Sequence, residues 1–284
     1  MQKILNRIWK EFLFGGHLQC LGSVSIVWLS SIVLGIHISY QILIATYLIF
    51  YPIYTFDRLV GISIDRITNP ERSDYVAQIR GILKSILPVV IILAIVTLLI
   101  WSQTVWGVIM GILIIIFGLL YPLYFKNLSK KIIGFKNYYV ALVFTLLITF
   151  PYAFYGMQFP KGSVPLLLML LVFFRALIMQ LVLDIKDISG DRLNRLKTFP
   201  VIFGKGESII ISLIGLLIFE ILLPVIFISV LKLLPPFVYG YVFSSLLTIF
   251  SLVAIKKNRY SGYLLESFSL FTMTLIIYIC SLSF

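Results

Sequence analysis

Of the 284 residues, 61% are hydrophobic and only 12% are charged, and the mean hydropathy is +1.08. A soluble domain carries about a quarter charged residues, so this composition excludes one and indicates a polytopic membrane protein. The net charge of +12 does not indicate nucleic acid as a partner, because the basic residues follow the membrane.

Hydropathy predicts an all-α bundle of nine transmembrane helices, each near the ~20 residues that cross a bilayer core. The spans fall at about 19–37, 40–56, 82–101, 105–125, 137–156, 164–184, 207–230, 234–254 and 261–282. The N-terminal stretch has basic residues before an apolar run but no small-residue cleavage pattern, so it reads as a retained first helix. Short polar hairpins and longer charged segments alternate between spans. All 23 basic residues except Lys161, Lys232 and Arg175 fall on one side of this layout. By the positive-inside rule the N-terminus and long loops are cytoplasmic and the C-terminus is outside. The chain reads as one membrane domain, 1–284, in two halves of about 1–156 and 157–284.

Cys20 and Cys280 fall near opposite bilayer faces, which excludes a disulfide between them. His17 and His37 fall at opposite ends of the first span, too far apart for a shared metal. Ordinary helix-end placement suits each better than a general-base role. Within the spans, Arg175 needs a partner, and Glu220 and Glu266 are the options. Each Glu reads equally as a cavity-lining group or as a hydrogen-bonded structural group.

The sixth span runs into DIKDISGDRLNRLKTFPVIFG, residues 184–204. Asp184, Asp187 and Asp191 stand at i, i+3 and i+7, one face of a continuous helix. Three adjacent carboxylates repel one another, and a helix C-terminus favours cations, so an acidic cluster there calls for something positive. Mg²⁺ suits it, because it takes carboxylate oxygens together with substrate phosphates. A solvated polar helix end is the plainer alternative. The second span is followed by a matching stretch with Asp57, Gly61 and Asp65 at i, i+4 and i+8. Arg58, Arg66, Arg72, Arg192, Arg195 and Lys197 stand around the two clusters and suit phosphate oxygens. These basic residues also serve topology and anionic lipids, above all in the loop from Lys126 to Lys136.

The run Asp184-Ile-Lys-Asp187-Ile-Ser-Gly-Asp191-Arg192, with Lys197-Thr198-Phe199-Pro200-Val201 and Gly204, resembles the second aspartate motif of UbiA-type intramembrane prenyltransferases. The first stretch resembles that family's NDxxDxxxD motif: Asp65 matches the last Asp, and Pro70 and Arg72 follow at the expected offsets. The resemblance implies a helical bundle with a central cavity, Mg²⁺ held by Asp57, Asp65, Asp184, Asp187 and Asp191, and a prenyl diphosphate substrate. It further implies transfer of the prenyl group to a lipophilic, often aromatic acceptor within the membrane. Arg72 and Lys126 become diphosphate contacts by the same match, and Arg192 and Lys197 join them as neighbouring basic residues. The sequence departs from the pattern at Asp57, where Asn is usual, at Arg58, where Asp is common, and at Gly61, where the middle Asp should stand. A small residue at that middle position is similar to the family's terpene-cyclase branch, which makes intramolecular cyclisation the alternative.

Aromatic faces stabilise an allylic cation by about 0.5–2 kcal/mol each. Tyr54, one turn below Asp57, and Phe173, three turns below Asp184, stand at suitable heights, and with Gly61 and Gln180 they are the candidate cavity residues. Gln180, one turn below Asp184, suits orientation of a ligand. A transporter or lipid-binding protein is the reading from another class. Against it, the charged residues gather at one membrane face instead of the midplane. A silent member of the family, explained by Gly61, is the remaining alternative.

Overall fold

The computed structural model describes residues 2–283. The side chains of residues 2 and 3, Lys3 of the basic N-terminal group among them, lie outside the described part. Helix α1 (Gln2–Phe14) is amphipathic: Ile4, Leu5, Ile8 and Trp9 share an exposed apolar face, and Arg7 and Lys10 stand opposite. The chain then turns into α2 (His17–Leu34), which ends at Gly35 in the left-handed conformation, φ 68°, where a side chain is disfavoured. Helix α3 (Tyr40–Thr68) has 29 residues and is therefore about 43 Å long, well over a bilayer core. Its last turns lift Asp57 and Asp65 out of the apolar layer. Pro70 begins α4 (Pro70–Gln78), where its missing N–H costs nothing, and α5 (Arg80–Trp101) re-enters the bundle.

Thr104 caps α6 (Val105–Leu123) by accepting the Gly107 N–H. A tight turn at Phe125–Lys130 leads to α7 (Phe135–Leu146) and α8 (Phe150–Tyr155), which together form the fifth span. The sixth span is α9 (Ser163–Asp184), continued by a tighter turn at Ile185–Asp187 and by α10 (Ile188–Leu193). After α11 (Phe199–Phe203), the seventh span starts as α12 (Lys205–Gly215) and widens at Leu216–Leu222. Pro224, in the short α13 (Leu223–Val225), lacks the N–H that would bond the Glu220 carbonyl, and its ring displaces that carbonyl. Ser245 Oγ donates to the displaced oxygen at 3.4 Å. Helix α14 (Tyr239–Lys256) is the eighth span, and α15 (Ser261–Ser267) and α16 (Ser269–Ser281) complete the described chain.

Among the described residues, eight helices are long and apolar enough to cross a membrane, and α15 with α16 makes a ninth, bent by 54°. The expected number of spans holds, with the last one broken. No Pro or Gly sits at the break. Instead Ser267 Oγ donates to the Tyr263 carbonyl at 2.8 Å, a back-bond that bends helices. Small residues let the spans close on one another: a Cβ at Gly240 would lie 2.8 Å from the Ile277 backbone, so α14 and α16 meet there only through glycine. The outer surface is apolar, as along Val89, Ile92, Val96 and Leu99 of α5, and faces lipid. The protein is an integral, multi-pass membrane protein. Both cysteines are free. His17, at the start of α2, pairs its Nδ1 with the Tyr47 hydroxyl and its Nε2 with Glu11 at 3.2 Å. It thereby ties α1 to α3.

One expectation needs correction. Asp184, Asp187 and Asp191 do not stand on one face of a continuous helix, because the tighter turn at Ile185–Asp187 rotates α10 relative to α9.

Candidate active site

The two acidic motifs meet at one end of the bundle, where α10 packs against the end of α3. Gly190 permits this approach: a Cβ there would lie 3.2 Å from Thr68 Cγ2. Between them is a cavity of about 140 Å³. Asp57, Ile64, Asp65 and Thr68 of α3 line one side, and Asp187, Gly190 and Asp191 line the other. Arg72 of α4, Tyr121 of α6, Lys126 of the turn at Phe125–Lys130 and Lys136 of α7 complete the wall. Six of the expected residues, Asp57, Asp65, Asp187, Asp191, Arg72 and Lys126, are thus brought together.

The carboxylates are engaged with cations from other parts of the fold. Arg72 Nη2 lies 2.6 Å from Asp65 Oδ2, and Lys186 Nζ lies 2.8 Å from Asp187 Oδ2. Asn69 Nδ2 donates to Asp187 Oδ1 at 3.0 Å. Burial lowers the pKa of the Arg72 guanidinium, but Asp65, Asp187 and Asp57 outweigh burial, and the net shift is upward. Arg72 therefore stays charged inside the cavity wall. Asp57 has no ion-pair partner among the described residues. Asp191 Oδ2 and the Tyr121 hydroxyl are buried without any hydrogen-bond partner. Buried polar atoms of that kind ask for a ligand or water.

Asp184 is placed otherwise than expected. It is buried beside the cavity, not in its wall, where Lys136 Nζ lies 2.6 Å from its Oδ1 and Asn137 Nδ2 donates to its Oδ2 at 2.9 Å. Arg192 and Lys197 are exposed and line no part of the cavity. Arg192 follows Asp191 by about 100° around α10, so turning Asp191 inward turns Arg192 outward. Lys197 contributes backbone: its N–H bonds Ser129 and its carbonyl accepts from Gly134, which fixes the two loops to each other. Tyr54, Phe173 and Gln180 lie deeper in the bundle, and neither they nor Gly61, which stands between Asp57 and Asp65 on α3, line this cavity. Tyr54 packs against Gly16 and Phe50, and Phe173 against Phe174. Gly61 is buried on α3, and a Cβ there would sit 3.5 Å from Asp65 Oδ2.

Lys136 and Tyr121 are site residues that the sequence reading did not single out. Lys136 gave a signal nonetheless: a lysine in the first turn of an apolar helix opposes the helix dipole and needs an acidic partner.

The sequence model of the UbiA prenyltransferase family matches residues 19–275. No curated protein matches the chain by sequence. Among solved structures, the chain is similar to a UbiA homolog from Aeropyrum pernix K1 in its apo form, with a TM-score of 0.69 and 14% identity over 92% of this chain and 97% of that one. It is similar to a UbiA homolog from Archaeoglobus fulgidus bound to GPP and Mg²⁺, with a TM-score of 0.65 and 16% identity over 96% and 98% of the two chains. A structure of digeranylgeranylglyceryl phosphate synthase is also similar, with a TM-score of 0.56 and 18% identity over 100% and 98%. These likenesses concern the fold, and the family follows from the matched sequence: the chain belongs to the UbiA prenyltransferase family.

Proposed function

We propose that this protein ionises a prenyl diphosphate with the help of Mg²⁺ and transfers the prenyl group to a lipophilic acceptor within the membrane. The observation that carries this reading is the gathering of four carboxylates from both motifs around one cavity, together with the cations Arg72, Lys126 and Lys136. Two structures of a UbiA homolog from Archaeoglobus fulgidus, similar in fold, hold Mg²⁺ together with DMAPP or GPP.

The residues suit Mg²⁺. All the acidic donors are hard carboxylate oxygens, and Asp191 Oδ2 is buried without a hydrogen-bond partner. Among the described residues no three acidic, His or Cys side chains converge tightly enough to hold an ion alone. That fits an ion that takes its remaining ligands from water and substrate phosphates. Asp57, Asp65, Asp187 and Asp191 would hold it, and when bound it supplies charge neutralisation to the leaving diphosphate.

Arg72, Lys126 and Lys136 bind the diphosphate oxygens and stabilise the charge they gain as the C–O bond breaks. Both bonding electrons leave with the diphosphate, and C1 of the prenyl chain becomes an allylic cation. The bundle interior excludes water from that cation until a nucleophilic atom of the acceptor bonds C1 and loses its proton. Asp184 holds the Lys136 ammonium in place. The positive-inside pattern supports an active-site opening on the cytoplasmic side.

Gly61 favours a second reading, intramolecular cyclisation, because the family's middle carboxylate is missing there. Incubating purified protein with a panel of prenyl diphosphates and Mg²⁺, with mass analysis of the lipophilic products, separates the two. Product formed only when an acceptor is added supports transfer, and cyclic hydrocarbon without acceptor supports cyclisation. No diphosphate release under any condition counts against both.

A further inference from the structure

Arg175 of α9 lies nine residues before Asp184, about half a turn around the helix, so the two side chains leave opposite faces. The Asp184 face is held by Lys136 and Asn137 of α7. On the other face, Arg175 Nη1 donates to Glu220 Oε2 at 2.7 Å and to Thr248 Oγ1 at 2.6 Å. Thr248 Oγ1 in turn donates to Glu266 Oε1 at 3.4 Å, and Ser245 Oγ donates to Glu220 Oε2 at 2.9 Å. Arg175, Glu220 and Glu266 are fully buried, and none of them lines the diphosphate cavity.

Stability alone does not account for such a network. Apolar side chains of similar volume in place of a buried ion network often leave a protein as stable or make it more so. Between membrane helices there is no hydrophobic force to set rotation, whereas directed hydrogen bonds set it. The partners also sit on the two most irregular spans: Glu220 in the widened stretch Leu216–Leu222, and Glu266 just before the 54° bend. Widened turns of this kind mark functional positions in helices. Arg175 Nε and Nη2, Glu220 Oε1, Glu266 Oε2 and Ser269 Oγ remain buried without partners. Donors and acceptors are thus left over together, which is the demand that bound water meets.

We infer that Arg175 is a positioning residue for the second acidic motif: the buried Arg175–Glu220–Glu266 network fixes the rotation of α9 and so aims Asp187 and Asp191 into the cavity. The catalytic consequence rests on the proposed diphosphate chemistry, and the geometric consequence does not.

The test replaces the whole network with apolar side chains, Arg175→Met, Glu220→Leu and Glu266→Leu together. The triple variant melts at or above the wild-type temperature. Its kcat falls by about a hundredfold, the scale of a small misplacement of reacting groups. KM for the prenyl diphosphate rises with it, because Asp187 and Asp191 carry most of the Mg²⁺ and diphosphate binding. Spin labels at exposed Leu193 of α10 and Ile82 of α5, which packs on α3, read the positioning directly, and their distance distribution widens in the triple variant. A wild-type distribution together with a kcat within about twofold of wild type overturns the inference. If the triple variant does not fold, Thr248→Val removes only the hydroxyl between Arg175 and Glu266. A widened distribution in that variant supports the inference, and an unchanged one overturns it. If the wild type releases no diphosphate, the proposed chemistry fails separately, and the label distances alone decide the positioning.

Discussion

Lys136 Nζ lies 2.6 Å from Asp184 Oδ1 and 3.9 Å from Asp191 Oδ2, so one ammonium joins a buried carboxylate to one in the cavity wall. The lysine comes from the fifth span and both carboxylates from the sixth and its continuation. The pairing explains why an acid can be buried at the end of α9, and it places a cation where diphosphate would sit.

Lys136→Met leaves Asp184 buried without its cation, which costs about 3–5 kcal/mol of stability. Turnover falls with it. Adding Asp184→Asn removes the stranded charge, so the double variant recovers stability but not turnover. Detergent-solubilised unfolding curves and diphosphate-release rates check both halves, and wild-type turnover in the double variant would show that Lys136 does not touch substrate.

The two motifs contribute unequally. Asp187 and Asp191 carry most of the Mg²⁺ and diphosphate binding, Asp65 comes next, and Asp57 contributes least. Asp191→Ala lowers turnover by roughly a hundredfold or more, the effect of losing one charged ligand of a metal shared with phosphate. Steady-state rates across the four single alanine variants give the order. An Asp57→Ala variant weaker than Asp191→Ala would reverse it.

Gly61→Asp restores the carboxylate that the family pattern has at that position. A Cβ there lies in ordinary contact with Asp65 Oδ2 at 3.5 Å. For a transferase, Mg²⁺-dependent turnover is maintained or raised. Loss of cyclic products, or their conversion to acyclic ones, would show instead that Gly61 makes room for a folded chain.

Lys131 is exposed in the loop between the fourth and fifth spans. A membrane-impermeant thiol reagent reaches Lys131→Cys from the cytoplasmic side only. Labelling from the outer side alone would invert the orientation.

Much of this was legible in the sequence because it depends on local pattern. Span positions follow from hydropathy, Asp57, Asp65, Asp187, Asp191 and Arg72 from motif spacing, and Lys126 from the family resemblance. The partner of Arg175 was among two named acids, since a buried guanidinium admits few partners. What was not legible depends on rotation between elements. The turn at Ile185–Asp187 moves Asp184 away from its neighbours and turns Arg192 outward, and no residue in that stretch announces it. The break near Phe268 likewise comes from serine back-bonding, not from Pro or Gly. Lys136 was hidden among lysines that also satisfy topology, and only the acid folded against it singles it out.

The central claim is that this cavity binds a prenyl diphosphate through Mg²⁺ and its own cations. Calorimetric titration of purified protein with geranyl diphosphate, with and without Mg²⁺, measures that most directly. Saturable binding that requires Mg²⁺ and disappears in Asp191→Ala is the predicted result. Equal binding without Mg²⁺, unchanged in Asp191→Ala, would contradict the account.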